Sequence, residues 1–305
     1  MKKYYFFALL ATMMFITQTG HGQENLTFTV NGVTFEMVFV EGGNYLMGCT
    51  SGQEDCYPRE RPVREISVTD FFMGKYQVTQ KLWYSVTGTT ISQLWLDNAY
   101  SDREFYMKSK AGGQATFDEG VFFAEDYSKV IPLLYGAGDN YPMWFVNYTD
   151  CEYFCDELNH LLAKQLPEGY KFCIPAEAEW EYAARGGKLS KGYKYSGSNH
   201  INDVAWYIDN SKELTYEVGK KMPNELGIYD MSGNVWEWCG YRFSENDDSR
   251  KKSAKFKEPD EKMVLRGGGW NSIEQSCCVS SYHYNSLVSN ERASYCGFRL
   301  ALVKE

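Results

Sequence analysis

The chain has 305 residues, 44% hydrophobic and 16% aromatic, with 31 basic against 40 acidic side chains and a formal charge of −9. That much apolar material can bury a large core, and the length fits one large domain or two ordinary ones. The acidic balance excludes sequence-independent attraction to nucleic acid or to anionic membranes.

Lys2 and Lys3 precede an apolar run over 4–16 and a small-residue step, Gly20-His21-Gly22, which is the pattern of a signal peptide cleaved before Gln23. The run is shorter than the ~18–20 apolar residues of a membrane span, and no later segment comes closer. Residues 1–22 are therefore read as a leader and 23–305 as an exported domain without a transmembrane span, whether periplasmic, envelope-associated or extracellular. The first cysteine is Cys49, so the leader offers no thiol to a lipid. An exported chain with nine cysteines is expected to form disulfides, and the odd number leaves at least one thiol over. Cys49 and Cys56 bracket the polar loop "TSGQED", which a small disulfide would close; two free surface thiols are the alternative.

The runs "TFEMVFVEGGNYLMG" (34–48) and "REISVTDFFMGKYQVT" (64–79) are rich in β-branched and aromatic residues and are punctuated by glycine, as strands are. Thr79 caps an expected short helix, "QKLWYSV", that buries Leu82, Trp83 and Val86 and stops at Gly88. Beyond it the pattern weakens into polar residues and glycine, and 89–141 is read as an insertion. A longer helix is expected after Thr149, with Cys151, Phe154, Cys155, Leu158, Leu161 and Leu162 on one face and an end at Pro167-Glu168-Gly169. A third opens at Pro175, with Glu177 and Glu179 complementing its dipole and Gly186-Gly187 ending it. Residues 244–262 alternate charge blocks without an apolar period and read as a solvated loop. Four histidines, at 21, 160, 200 and 283, show no metal-ligand spacing.

The turn "DMSGNVWEW" places the hard oxygen donors Asp230 and Glu237 on either side of a glycine, a geometry that can aim backbone carbonyls at calcium; a hydrogen-bonded turn without an ion is the alternative. Taken with "FVEGGNYLMG", "FFMGKYQVTQKLW", "IPAEAEWEYAARGG", "VLRGGGWN" and "GFRLAL", this run resembles the formylglycine-generating enzyme family, or sulfatase-modifying factors. The motifs occur in family order across 35–88 and 142–303. The resemblance implies a single compact α+β domain with much irregular backbone, related to C-type-lectin-like folds. It implies one structural calcium held by the Asp230 and Glu237 carboxylates and the Gly233 and Val235 carbonyls. It also sets Trp236 along a substrate cleft and suggests a tie between the helix of Cys155 and the C-terminal strand, where Cys296 is the available partner.

Active members of this family oxidise a sulfatase cysteine to formylglycine with oxygen and a copper(I) ion held by two cysteines five residues apart. Aligning "RGGGWN" on the family pattern puts the second cysteine on Cys277 and the first on Ser272. A hydroxyl is a poor ligand for soft copper(I), and the neighbouring Cys278 diverges from Cys277. The resemblance thus implies a member without the complete copper pair, acting by binding or assembly on a protein or peptide partner. Two other readings stand beside it: a sulfatase-maturing oxidase using Cys277, and a structural subunit of an envelope or secretion complex.

Overall fold

The computed structural model describes residues 24–53, 56–95, 135–240, 263–283 and 291–305. The leader expected over 1–22, the centre of the insertion expected at 89–141 and the loop expected at 244–262 lie outside the described residues. Among the described residues no helix is long and apolar enough to cross a membrane.

The architecture is mixed α and β. A five-stranded antiparallel sheet has the order β1 (Leu26–Val30), β2 (Val33–Val40), β5 (Phe71–Gly74), β11 (Ala301–Lys304), β6 (Tyr170–Cys173). Strands β3 (Gly43–Met47) and β4 (Arg64–Val68) form a separate ribbon. Each long strand-like run therefore divides between two sheets, and both divide at one crossing. There Gly42 lies against the other run, so close that a Cβ on it would stand 2.5 Å from the Val68 carbonyl oxygen. A side chain at 42 would force the two runs apart.

Alternation along the strands sets the layers. Met37, Phe72 and Leu302 face one core with α1 (Gln80–Thr87) and α2 (Tyr148–Leu162); Val38, Val40, Phe71 and Met73 face a second core with α3 (Glu177–Ala184). Thr79 accepts a hydrogen bond from the Leu82 amide and Gly88 closes α1 in the left-handed conformation, as the sequence indicates. The α2 helix starts earlier than Thr149. Asn147 and Asp150 cap it reciprocally, Arg292 grips both Asp150 oxygens at 2.7 Å, and Leu161 points outward at 42% exposure. Trp83 stacks on Phe154 with centroids 5.4 Å apart, joining the two helices.

On the outer side of α2, Glu152 is pushed up to about 7 by burial and by the like charge of Asp156 one turn on. A raised carboxyl favours the fold below its ordinary pKa, near 4.5, and that contribution is lost as pH rises through about 7. Glu152→Gln is therefore expected to leave Tm unchanged at pH 4 and to raise it at pH 8. Allowing for solvent screening the gain is about 1 kcal/mol, or ~2–4 °C in a thermal melt.

The third sheet carries the site. Its order is β10 (Cys296–Gly297), β7 (Trp236–Cys239), β8 (Val264–Arg266), β9 (Tyr282–His283), with β10 parallel to β7 and the remaining pairs antiparallel. One face presents Trp236, Trp238 and Leu265; the other presents Glu237 and Arg266, both buried.

Candidate functional site

The charged face of β7 and β8 is held by α3. Residues 177, 180 and 181 lie one turn apart on that helix, and each reaches the sheet through a polar atom. Glu177 and Glu181 pair with Arg266 at 2.5 and 2.9 Å, and Trp180 Nε1 donates to Glu237 Oε2 at 2.6 Å. Glu177 and Glu179 both lie in the first turn, where they complement the helix dipole; Glu177 is in addition a buried ion-pair partner, and Glu179 accepts from the Ala176 amide. Charges this deep persist only when paired, so the helix register is fixed by chemistry as well as by shape.

Glu237 is fully buried and its carboxylate is saturated. Arg299 Nε donates to Oε2 at 2.6 Å and Arg299 Nη2 to Oε1 at 2.7 Å. Gln77 Nε2 adds a bond to Oε1 at 2.9 Å, alongside that of Trp180 to Oε2. The same Gln77 nitrogen donates to the Val235 carbonyl at 3.0 Å and the Asp230 carbonyl at 3.3 Å. Asp230 sits at positive φ, its Oδ2 accepts from the Gly219 amide at 2.7 Å, and burial pushes its carboxyl up to about 6. Gly233 takes a φ of +82° beside Trp206, and its amide donates to the Gly267 carbonyl.

The fit of calcium is decided by these bonds. The backbone carbonyls of Asp230 and Val235 and the Glu237 carboxylate gather on the amide nitrogen of Gln77, whereas the Asp230 carboxylate expected at that point turns to the Gly219 amide, and a guanidinium already neutralises Glu237. A calcium ligand shell needs those oxygens open. As arranged, the set expected from the sequence does not fit the ion. The turn is instead built from internal donors.

Ser272 and Cys277 occupy the far end of the Gly267–Gly269 turn. Ser272 Oγ accepts from the Gly269 amide at 2.9 Å, so the hydroxyl is committed to shaping the turn. Cys277 ends a short 3-10 helix, Glu274–Cys277, and is fully buried in a small apolar cluster with Tyr195, Ile201, Val204, Tyr207 and Cys278. Its Sγ lies beneath Gly268, where a Cβ would stand 2.6 Å away. Burial pushes this thiol well above the ordinary range, so it is protonated at neutral pH. Trp236 is 4% exposed and meets the His283 ring edge-on at 5.4 Å. Burial also holds His283 below its ordinary pKa, so this imidazole is neutral at pH 7.

Around this turn the aromatic packing is dense. Tyr135 lies against Trp270 at 5.4 Å and Trp144 at 5.3 Å, so the end of the insertion roots two residues from Ser272. Asn234, at positive φ and fully buried, exchanges side-chain bonds with the Tyr216 backbone and backbone bonds with Trp206 and Trp270. Neither Gln77, Arg299 nor Asn234 is singled out by the sequence patterns, although each lies inside a recognisable motif. A polar residue among the apolar positions of "YQVTQKLW" or "GFRLAL" is the signal that marks the first two.

A polar cavity bordered by Glu60, Glu177, Glu181, Arg266, Ser280 and Tyr282 holds about 30 Å³. That is room for about two water molecules and no side chain. It borders none of Ser272, Cys277 and Trp236.

Cys49 and Cys56 form a disulfide. The suggested tie between Cys155 and Cys296 is absent, since both are buried thiols. Cys151, one turn earlier on α2, is the residue whose thiol senses Cys296, whereas Cys155 senses Cys173. The helix thus turns a different cysteine toward β10.

Residues 25–304 match the family described as the sulfatase-modifying factor enzyme 1-like domain. The chain is 29% identical to the chaperone protein LppX of Paenibacillus barcinonensis over 81% of its own length and 83% of the relative's. It is 25% identical to the formylglycine-generating enzyme of Thermomonospora curvata over 87% of this chain and 92% of that one. It is 28% identical to the serine/threonine-protein kinase Pkn1 of Chlamydia trachomatis over 82% of this chain, but spans only 36% of the kinase. Among solved structures, Treponema denticola variable protein 1 superposes with a TM-score of 0.63 at 25% identity, covering 92% of this chain and 99% of that one. With the motifs in order, the same fold, and the family match running from β1 to the last strand, the chain belongs to the formylglycine-generating enzyme, or sulfatase-modifying factor, family.

Proposed function

We propose that this protein is an exported, non-catalytic member of its family that binds a polypeptide partner. One observation carries the reading: the two positions that would hold copper(I) are a hydroxyl committed to the Gly269 amide and a thiol buried beneath Gly268. A copper site for thiol oxidation requires two sulfur ligands and room for the substrate sulfur, and here one position carries a hydroxyl and the other a sulfur enclosed beneath Gly268. The Cys49–Cys56 bridge supports an oxidising compartment, in keeping with the leader pattern of the first 22 residues. Likeness to a protein named a chaperone favours a polypeptide partner.

The test is aerobic incubation of the full chain with copper(I) and a peptide carrying a Cys-x-Pro-x-Arg site, read by mass spectrometry. No aldehyde is expected. Formylglycine that appears and then vanishes in Cys277→Ala would make the protein a sulfatase-maturing oxidase. Isolation only within a large envelope complex would favour the structural-subunit reading.

A further inference from the structure

We infer that the 230–237 turn of this chain folds without the structural calcium that the resemblance implies, the Gln77 amide and the Arg299 guanidinium supplying the positive donors in its place. The inference rests on where the donors stand. A calcium ion in such a turn gathers backbone carbonyls and a carboxylate around a point of positive charge. Here the Asp230 carbonyl, the Val235 carbonyl and Glu237 Oε1 gather around Gln77 Nε2, at 3.3, 3.0 and 2.9 Å. An amide nitrogen carries two hydrogens with partial positive charge, so it meets the same three oxygens with the sign a cation would.

The charge is balanced separately. Arg299 takes both oxygens of Glu237 and is itself fully buried, with Nη1 on the Gly74 carbonyl at 3.0 Å and Nη2 on the Tyr229 carbonyl at 2.9 Å. It is thus anchored to the five-stranded sheet and to the segment leading into the turn, and it bridges the parts that a metal would draw together. A dication at the Gln77 nitrogen would share Glu237 Oε1 with Nη2, and the local sum would be strongly positive in a desolvated site. Among the described residues Asp230 is the remaining carboxylate of the turn, and its Oδ2 is already bonded to the Gly219 amide.

The arrangement leaves a mark. Gln77 is 1% exposed and its Oε1 is buried without a hydrogen-bond partner, while its nitrogen faces three acceptors with two hydrogens. Turning the amide over would set Oε1 among three oxygens, which is favourable only with a cation between them. The two orientations of this one side chain therefore correspond to the metal-free and the metal-bound turn, and Arg299 biases the choice toward the first. A carboxylate at position 77 would reverse that bias, because two carboxylates at one point repel unless a cation or a shared proton lies between them.

Thermal melts of the full mature chain with chelator and with millimolar calcium test this. A ligand present at ~100-fold its Kd raises Tm by several degrees, so the wild type is expected to show no shift between the two conditions. Gln77→Glu is expected to melt lower in chelator and to recover by several degrees in calcium, with magnesium much less effective. A wild-type Tm that falls in chelator and returns with calcium overturns the inference. So does a folded Gln77→Glu protein that gains no calcium response, since position 77 would then not be the cation point. If Gln77→Glu does not fold in chelator, refolding in calcium provides the same reading: recovery supports the inference and failure in both overturns it.

Discussion

Arg299→Met is expected to be the most damaging single substitution among these residues, lowering stability by about 3–5 kcal/mol, the cost of removing one partner of a buried ion pair. The reason is what stays behind. Glu237 would keep its charge in full burial with only the neutral donors of Trp180 and Gln77, while the Gly74 and Tyr229 carbonyls would lose theirs. The double variant Glu237→Leu with Arg299→Met removes the uncompensated charge and is expected to be more stable than the single one. Chemical denaturation of the three proteins decides it; equal stability of the single variant and the wild type would mean that the pair is not coupled.

Gly233→Ala is the second, at about 3–5 kcal/mol. A Cβ there would stand 2.4 Å from the Trp206 carbonyl oxygen and 2.8 Å from its amide nitrogen, both backbone atoms that have no way to step aside. That carbonyl accepts from the Asn234 amide at 2.8 Å, so the clash breaks the bond that seats the turn on the 206 segment. Left-handed strain adds about 1–3 kcal/mol to overpacking of similar size. Gly227→Ala separates the two effects. Gly227 has a φ of +80° and nothing within 4 Å of its would-be Cβ, so it should cost only the backbone strain. A Gly233→Ala protein no weaker than Gly227→Ala would remove the steric argument.

Much of this fold is legible locally. Thr79 and Gly88 bracket α1 because caps are written in single residues, and the core face of α2 follows from spacing, apart from Leu161. The first hairpin goes unread although Asn31-Gly32, both at positive φ, is the two-residue turn that the twist of paired strands prefers. The strand runs at 34–48 and 64–79 give no local sign that each serves two sheets, since the break is made by an approach of Gly42 to Val68 from across the chain. The site divides the same way. Asp230, Val235 and Glu237 are found by motif, but Asp230 joins the others through its backbone carbonyl and not its carboxylate, and the point they share is set by Gln77, 160 positions before Glu237, and by Arg299, 62 after it. No periodicity spans such separations. The burial of Cys277 depends on Gly268 and on residues 195–207, which a vicinal cysteine pair does not announce.

The position of β11 bears on how the molecule is made. The last strand lies inside the five-stranded sheet, between β5 and β6, and Arg299 just before it ties down the turn at Glu237. Leu302 belongs to one core and Val303 packs against the other, so neither core closes before this strand is in place. A topology dominated by such distant pairings folds slowly. The fold therefore locks when β11 enters between β5 and β6 and Arg299 reaches Glu237.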